Sequence, residues 1–171
     1  VKFKDRVAVI GIGGLGHLAI QYGKAMGYHV TAVTSSTNKK TEAKKFGANS
    51  VVDYKGLSKL QNKFDFILVT AHADLDWTAL ADTLDVDGNI CFVGIPPKPV
   101  SIYAFSLINK RIKISGNPGG SRKMMREMLK IAAEKNIKPM IEQFSFSDVN
   151  KAIKKVKENK IRYRAVLSRA I

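Results

Sequence analysis

Short apolar runs alternate with stretches of helical spacing along most of the chain. Residues 6–10 are apolar after their arginine and predict a first strand. Leu15, Leu18, Ala19, Tyr22 and Met26 then recur at helical spacing, and Gly27 fits a C-terminal cap. Residues 29–33 predict a second strand, and residues 38–46 a basic helix stopped by Gly47. Residues 50–53 predict a short third strand and residues 64–69 a fourth. A helix over residues 75–84 leads to a turn at Asp87 and Gly88, and residues 89–93 predict a fifth strand. Residues 96–108 read as a loop with some helix, and residues 112–115 as a sixth strand. Residues 121–134 predict a helix with Met125, Met128, Leu129 and Ala132 on one face.

Continuous apolar strands separated by helices indicate a parallel sheet covered on both faces. Six of them fit an α/β fold with a doubly wound parallel six-stranded sheet. After about Asn136 the rhythm changes. Residues 137–146 predict a strand, residues 147–158 a helix with Val149, Ala152, Ile153 and Val156 inward, and residues 162–167 a closing strand. The expected organisation is therefore a main domain over residues 1–135 and a short C-terminal αβ extension over residues 136–171, part of a second layer.

Composition narrows this picture. The 171 residues are 45% hydrophobic and 25% charged, which suits one compact domain with an appendage. The single cysteine, Cys91, excludes an internal disulfide framework and any zinc site built from two cysteines of this chain. It lies within the apolar fifth strand and is expected in the core. No apolar run reaches the ~18 residues of a membrane helix, and the first residues lack the apolar stretch of a signal peptide. A cytoplasmic chain is expected, without a membrane partner. Lys and Arg number 29 against 14 Asp and Glu, a formal net charge of +15. Such an excess fits an anionic partner, or basic helix faces that are simply solvated.

The sharpest local signal is Gly11-Ile12-Gly13-Gly14-Leu15-Gly16, placed between a strand and a helix as the G-x-G-x-x-G fingerprint requires. Gly11 allows a tight turn. Gly13 removes a side chain where backbone approaches a pyrophosphate, and Gly16 permits close helix packing. The helix start offers N–H groups and a positive dipole end to phosphates. An NAD-binding chain usually carries an acidic residue after the second strand to hold the ribose hydroxyls. Residues 34–40 hold none; Thr34, Ser35, Ser36, Lys39 and Lys40 instead suit a 2′-phosphate. NADP(H) is therefore favoured over NAD(H). The alternative is a serine helix cap followed by solvated lysines.

The segment from Val7 to Ala19, with Lys24 to Gly27 and Val30 to Ser36, resembles the zinc-dependent medium-chain alcohol dehydrogenases, in their cinnamyl-alcohol-dehydrogenase-like branch. The likeness continues through Phe46 to Ala48, Asp65 to Thr70, Gly88 to Gly94, Lys113 to Gly116, Gly120 to Lys123 and Asp148 to Ala152. It ends at Arg162 to Leu167, so it covers essentially the whole chain. It implies a Rossmann sheet that holds NADP(H) in an oxidoreductase. The zinc ligands of that family belong to a preceding catalytic part outside this chain. No catalytic or metal-ligating residue is expected here, and His17, His29 and His72 are read as structural or solvated. The resemblance also implies that Thr70 and Gly94 line the nicotinamide half. Asn117, Pro118 and Gly119 stand where the family has a serine and bulky apolar residues, and a proline there removes a backbone donor.

The reaction implied for an intact enzyme is hydride transfer between NADP(H) and an alcohol/aldehyde pair, with zinc polarising the carbonyl. The isolated chain is expected to bind NADPH and to lack alcohol dehydrogenase activity. Family members pair through the edge of the sheet, here from Ile102 to Ser115, so a homodimer is plausible. Two rivals remain at this point: a zinc-free quinone-type reductase, and a non-catalytic NADP-sensing or nucleic-acid-binding module. Nucleic acid is disfavoured because no RNA-binding aromatic motif or helix-turn-helix is apparent.

Overall fold

A computed structural model describes residues 4–60 and 63–169. Residues 1–3, on which the reading of the N-terminus rested, lie outside them. The chain divides into two compact units, with the boundary between Ile137 and Lys138.

The first unit is built on six parallel strands in the order β3-β2-β1-β4-β5-β6. They are β1 Arg6–Ile10, β2 His29–Val33, β3 Ser50–Val52, β4 Phe64–Val69, β5 Leu84–Phe92 and β6 Lys113–Gly116. The helices are α1 Gly16–Ala25, α2 Lys40–Lys45, α3 Trp77–Asp82, α4 Ala104–Lys110 and α5 Arg122–Glu134. The chain winds outward from β1 to β3, then returns to β4 on the other side of β1. Val7 thus pairs with Val30 on one flank and with Phe66 on the other. This is the doubly wound sheet expected from the alternation of apolar strands and helices.

The core sits on the central strands because only they are covered on both faces. Ile10, Ile67, Leu80, Leu84 and Ile90 are each at most 1% exposed, and burying a side chain of that size contributes about 1.5–3 kcal/mol. Asp76 caps α3 by accepting from the Ala79 N–H at 2.9 Å. At the opposite end of the sheet from the glycine turn, Asp65 accepts from both the backbone and the guanidinium of Arg6, which also pairs with Asp85.

Several local expectations are corrected. The buried face of α1 is Gly16, His17, Ile20 and Gly23, whereas Leu15 and Met26 are 47% and 45% exposed. The reason is close packing: a Cβ on Gly23 would lie 2.7 Å from Val30 Cγ2, so the glycines face the sheet. The basic helix begins with a 3-10 turn, Thr37–Lys39, and is α-helical only over Lys40–Lys45. The turn at Asp87 and Gly88 is an interruption inside β5. Phe64 pairs with Leu84 and Phe66 with Asn89, so residues 85–88 of β5 stand opposite Asp65 alone. Cys91 is only half-buried. The apolar face of α5 is present, but no residue of that helix is buried.

The second unit is a small βαβ: β7 Ile141–Ser145 lies parallel to β8 Arg164–Ser168, with α6 Val149–Lys157 between them. Phe144, Ala152 and Tyr163 are buried. Ile153 and Val156, expected inward, are 47% and 48% exposed. A two-stranded sheet is too narrow to cover a wide helix face.

Candidate functional site: the glycine turn and its rim

The site lies at the carboxyl ends of the strands, where the order reverses between β1 and β4, which is where doubly wound sheets open a crevice. β1 runs directly into the glycine turn. Gly11 has φ +93°, a left-handed conformation that a residue with a Cβ enters at a cost. Its N–H donates to Val33 O at 2.9 Å, which ties the turn to β2. Gly16 opens α1, and a Cβ there would fall 1.9 Å from Gly11 O. Its role is therefore contact with the turn itself. Gly13 differs: a Cβ on it would meet nothing within 4 Å. The space above it is open, as a cradle for a ligand requires.

The side chains around this turn have distinct orientations. Ile12 is buried in the core, so it can meet a ligand only through its backbone. Gly14 is half-buried, and Leu15 projects outward. Among the described residues, no hydrogen bond uses the N–H of Ile12, Gly13, Gly14 or Leu15 as donor. Three carbonyls of the turn accept from side chains. Thr70 Oγ1 lies 3.0 Å from Gly11 O and from Ile10 O, Lys39 Nζ 2.9 Å from Ile12 O, and His17 Nδ1 2.9 Å from Gly13 O.

The segment after β2 forms one rim. Thr34 is buried, and its Oγ1 accepts from the Ser36 N–H at 3.2 Å. It shapes the loop and does not stand on its surface. Ser35 is exposed, Ser36 half-buried and Lys40 exposed on the first turn of α2. Lys39 spans from this rim to the glycine turn through its bond to Ile12 O. The corner between the two segments thus carries positive charge, and no carboxylate occurs in residues 34–40.

At the other end, a cavity of about 370 Å³ opens between Leu15 just before α1, Thr70 and Val93 at the strand ends, and the loop of Asn117, Pro118 and Gly119. Thr70 donates its only hydroxyl proton to the Ile10 and Gly11 carbonyls, so toward a ligand it can only accept. Gly94 is tight against it: a Cβ would lie 2.7 Å from Thr70 C. Asn117 Oδ1 accepts from the Gly119 N–H at 2.8 Å, closing a small exposed turn. His72, read as solvated or structural, is exposed and its Nδ1 lies 2.6 Å from Ile95 O, linking the loops after β4 and β5.

Most of the expected positions therefore meet at the carboxyl ends of the strands. Thr34 is turned inward, and Val93 was missed although it directly follows a central strand. His17, taken as structural, proves to touch the turn. Among the described residues, no group of three or more His, Cys, Asp or Glu side chains could hold a metal ion.

Residues 14–134 match the family described as zinc-binding dehydrogenase. Aldehyde reductase AdhA of Synechocystis sp. is 41% identical over 171 residues, covering 98% of this chain and 51% of that protein. A cinnamyl alcohol dehydrogenase structure from Sorghum bicolor superposes with a TM-score of 0.91 at 30% identity, over 97% of this chain and 48% of that one. A structure from Helicobacter pylori, titled as CAD complexed with NADP(H), gives a TM-score of 0.85 at 29% identity, over 98% and 48%. The chain spans about half the length of the curated relatives it matches. These likenesses do not favour the quinone-type or the nucleic-acid reading.

Proposed function

Since this chain belongs to the zinc-binding dehydrogenase family, we propose that it is the NADP(H)-binding portion of an alcohol dehydrogenase or aldehyde reductase. The observation that carries this is the open space over Gly13, beside the N–H groups of Ile12, Gly13, Gly14 and Leu15, which donate to none of the described residues, and a lysine at the 2′ corner. The residues fit the cofactor. The turn from Gly11 to Gly16 would hold the pyrophosphate by backbone N–H groups. Ser35, Ser36, Lys39 and Lys40 would hold the 2′-phosphate by hydroxyl and ammonium groups. Thr70, Gly94 and the loop of Asn117, Pro118 and Gly119 would border the nicotinamide.

The bound cofactor would supply a hydride for exchange with an alcohol/aldehyde pair. The residues of this chain bind and orient it. Leu15 and Val93 give the nicotinamide cavity apolar walls, and Thr70 offers an acceptor inside it. Zinc would polarise the carbonyl as a Lewis acid, and its ligands would lie outside the described residues, among which no group of three or more His, Cys, Asp or Glu side chains could hold it. Catalysis of the full reaction is accordingly assigned to a larger protein, and this chain alone is expected to bind without turnover. A homodimer through the sheet edge is part of the proposal. β6 is an edge strand, with Ile114 46% exposed and Ile108 of α4 74% exposed.

The test is a fluorescence titration of the chain with NADPH and NADH side by side. Tighter NADPH binding, weakened selectively by Ser35→Asp, is the expected result. Equal or NADH-preferring binding would overturn the reading of residues 34–40, and binding of neither would overturn the cofactor assignment.

A further inference from the structure

We propose that His17 is a positioning residue for the phosphate-binding turn, holding the Gly13 carbonyl so that the Gly14 N–H faces the cofactor pyrophosphate. The inference rests on the dinucleotide reading and deepens it. His17 is 0% exposed and sits in the first turn of α1. Its Nδ1 lies 2.9 Å from Gly13 O, which also accepts the His17 N–H at 3.1 Å. A carbonyl oxygen only accepts, so Nδ1 must carry the proton. Because a trans peptide turns its C=O and N–H in opposite directions, a Gly13 carbonyl held toward His17 turns the Gly14 N–H the other way.

The same geometry repeats along the turn. Thr70 holds the Gly11 carbonyl and Lys39 the Ile12 carbonyl. Successive N–H groups of Ile12, Gly13 and Gly14 are thereby turned from their holders, as an anion-binding backbone requires. His17 differs from the other two in being entirely enclosed. Its ring packs on Phe46, with centroids 5.5 Å apart and planes at 59°. Phe46 directly follows α2, the helix that begins after Lys39. The ring therefore braces the pyrophosphate turn against the element that carries the 2′ rim.

A substitute donor is available within the same helix. Gln21 Nε2 reaches the carbonyl four residues back, His17 O, at 3.3 Å. A glutamine at position 17 can reach Gly13 O in the same manner, whereas phenylalanine fills the space beside Phe46 and donates nothing.

The experiment uses the full chain as wild type, His17→Phe and His17→Gln, titrated with NADPH and with 2′-adenosine monophosphate, which lacks the pyrophosphate. His17→Phe should weaken NADPH by about tenfold and leave the monophosphate unchanged, since a hydrogen bond of this kind is worth about that factor. His17→Gln should restore most of the loss. In the wild type, long-range proton–nitrogen spectra of the imidazole should show the proton on Nδ1. A bare Nδ1 would overturn the proposal whether or not either variant folds. So would unaltered NADPH binding by His17→Phe, equal losses in both variants, or parallel loss of the monophosphate, the sign of general loosening. Failure of the wild type to bind NADPH would instead overturn the functional reading beneath it.

Discussion

Gly13→Ala should separate binding from folding. The added Cβ meets no atom within 4 Å, and Gly13 is not among the glycines with positive φ. Folding should therefore tolerate it. Where the backbone is compatible, replacing glycine with alanine stabilises by about 0.4–1 kcal/mol through the unfolded chain. For 171 residues that corresponds to a rise in Tm of about 1–4 °C. Binding should respond in the opposite direction. The methyl group occupies the space in which the pyrophosphate approaches the backbone, and loss of one charge-assisted hydrogen bond costs about 1.5–3 kcal/mol. NADPH affinity should fall by about 10- to 150-fold. Thermal unfolding by circular dichroism and NADPH fluorescence titration of the same preparation read both quantities. A variant that binds NADPH within about twofold of wild type would show that the cofactor does not cross Gly13. A variant that binds poorly because its Tm has dropped would show that the space is not open.

Gly16→Ala should behave oppositely: its Cβ would fall 1.9 Å from Gly11 O, so unfolding should come earlier by an overpacking cost of about 1–3 kcal/mol or more, read by denaturant titration. Lys39→Met should weaken NADPH more than NADH in paired titrations, because it removes a cation at the 2′ corner; an equal loss for both would place Lys39 on the pyrophosphate alone. The Arg6 guanidinium and backbone N–H hold the Asp65 carboxyl below the usual carboxylate range. A depressed folded pKa stabilises above the unfolded value, so this contribution should persist at neutral pH and fade as pH falls below about 4. Asp65→Asn should abolish that part of the acid sensitivity in pH-dependent unfolding; both partners are about a third exposed, so screening keeps the effect under about 1 kcal/mol. Ile114→Asp on the edge strand should shift sedimentation toward monomer, and an unchanged profile would remove β6 from the pairing surface.

Much of the sheet was legible because strand patterning is a local property. β1, β2 and β4 stand where their apolar runs place them, and the six-strand alternation specifies a parallel sheet without reference to any neighbour. The glycine turn was legible for the same reason: its spacing reports a backbone path, and Gly11 has the positive φ that a tight turn needs. Helix faces were less legible. The stripe of Leu15, Leu18, Ala19, Tyr22 and Met26 has helical spacing, yet α1 buries Gly16, His17, Ile20 and Gly23. Apolar periodicity favours large residues, whereas this contact is made by small ones that let a helix approach a strand closely.

What the sequence determined by itself, then, was the order of strands and helices along the chain, the glycine-rich turn between β1 and α1, and the absence of carboxylates from residues 34–40. The tertiary structure decided how those parts use their polar groups. It turned Thr34 inward, committed the Thr70 proton to carbonyls 59 and 60 residues away, and laid Lys39 across 27 residues onto Ile12 O. It also enclosed His17 against the turn. Periodicity is set by backbone geometry over a few residues, so it can be read along the chain. Hydrogen-bond partners separated by tens of residues exist only once strand order has brought β1, β2 and β4 side by side, and no local pattern encodes that meeting.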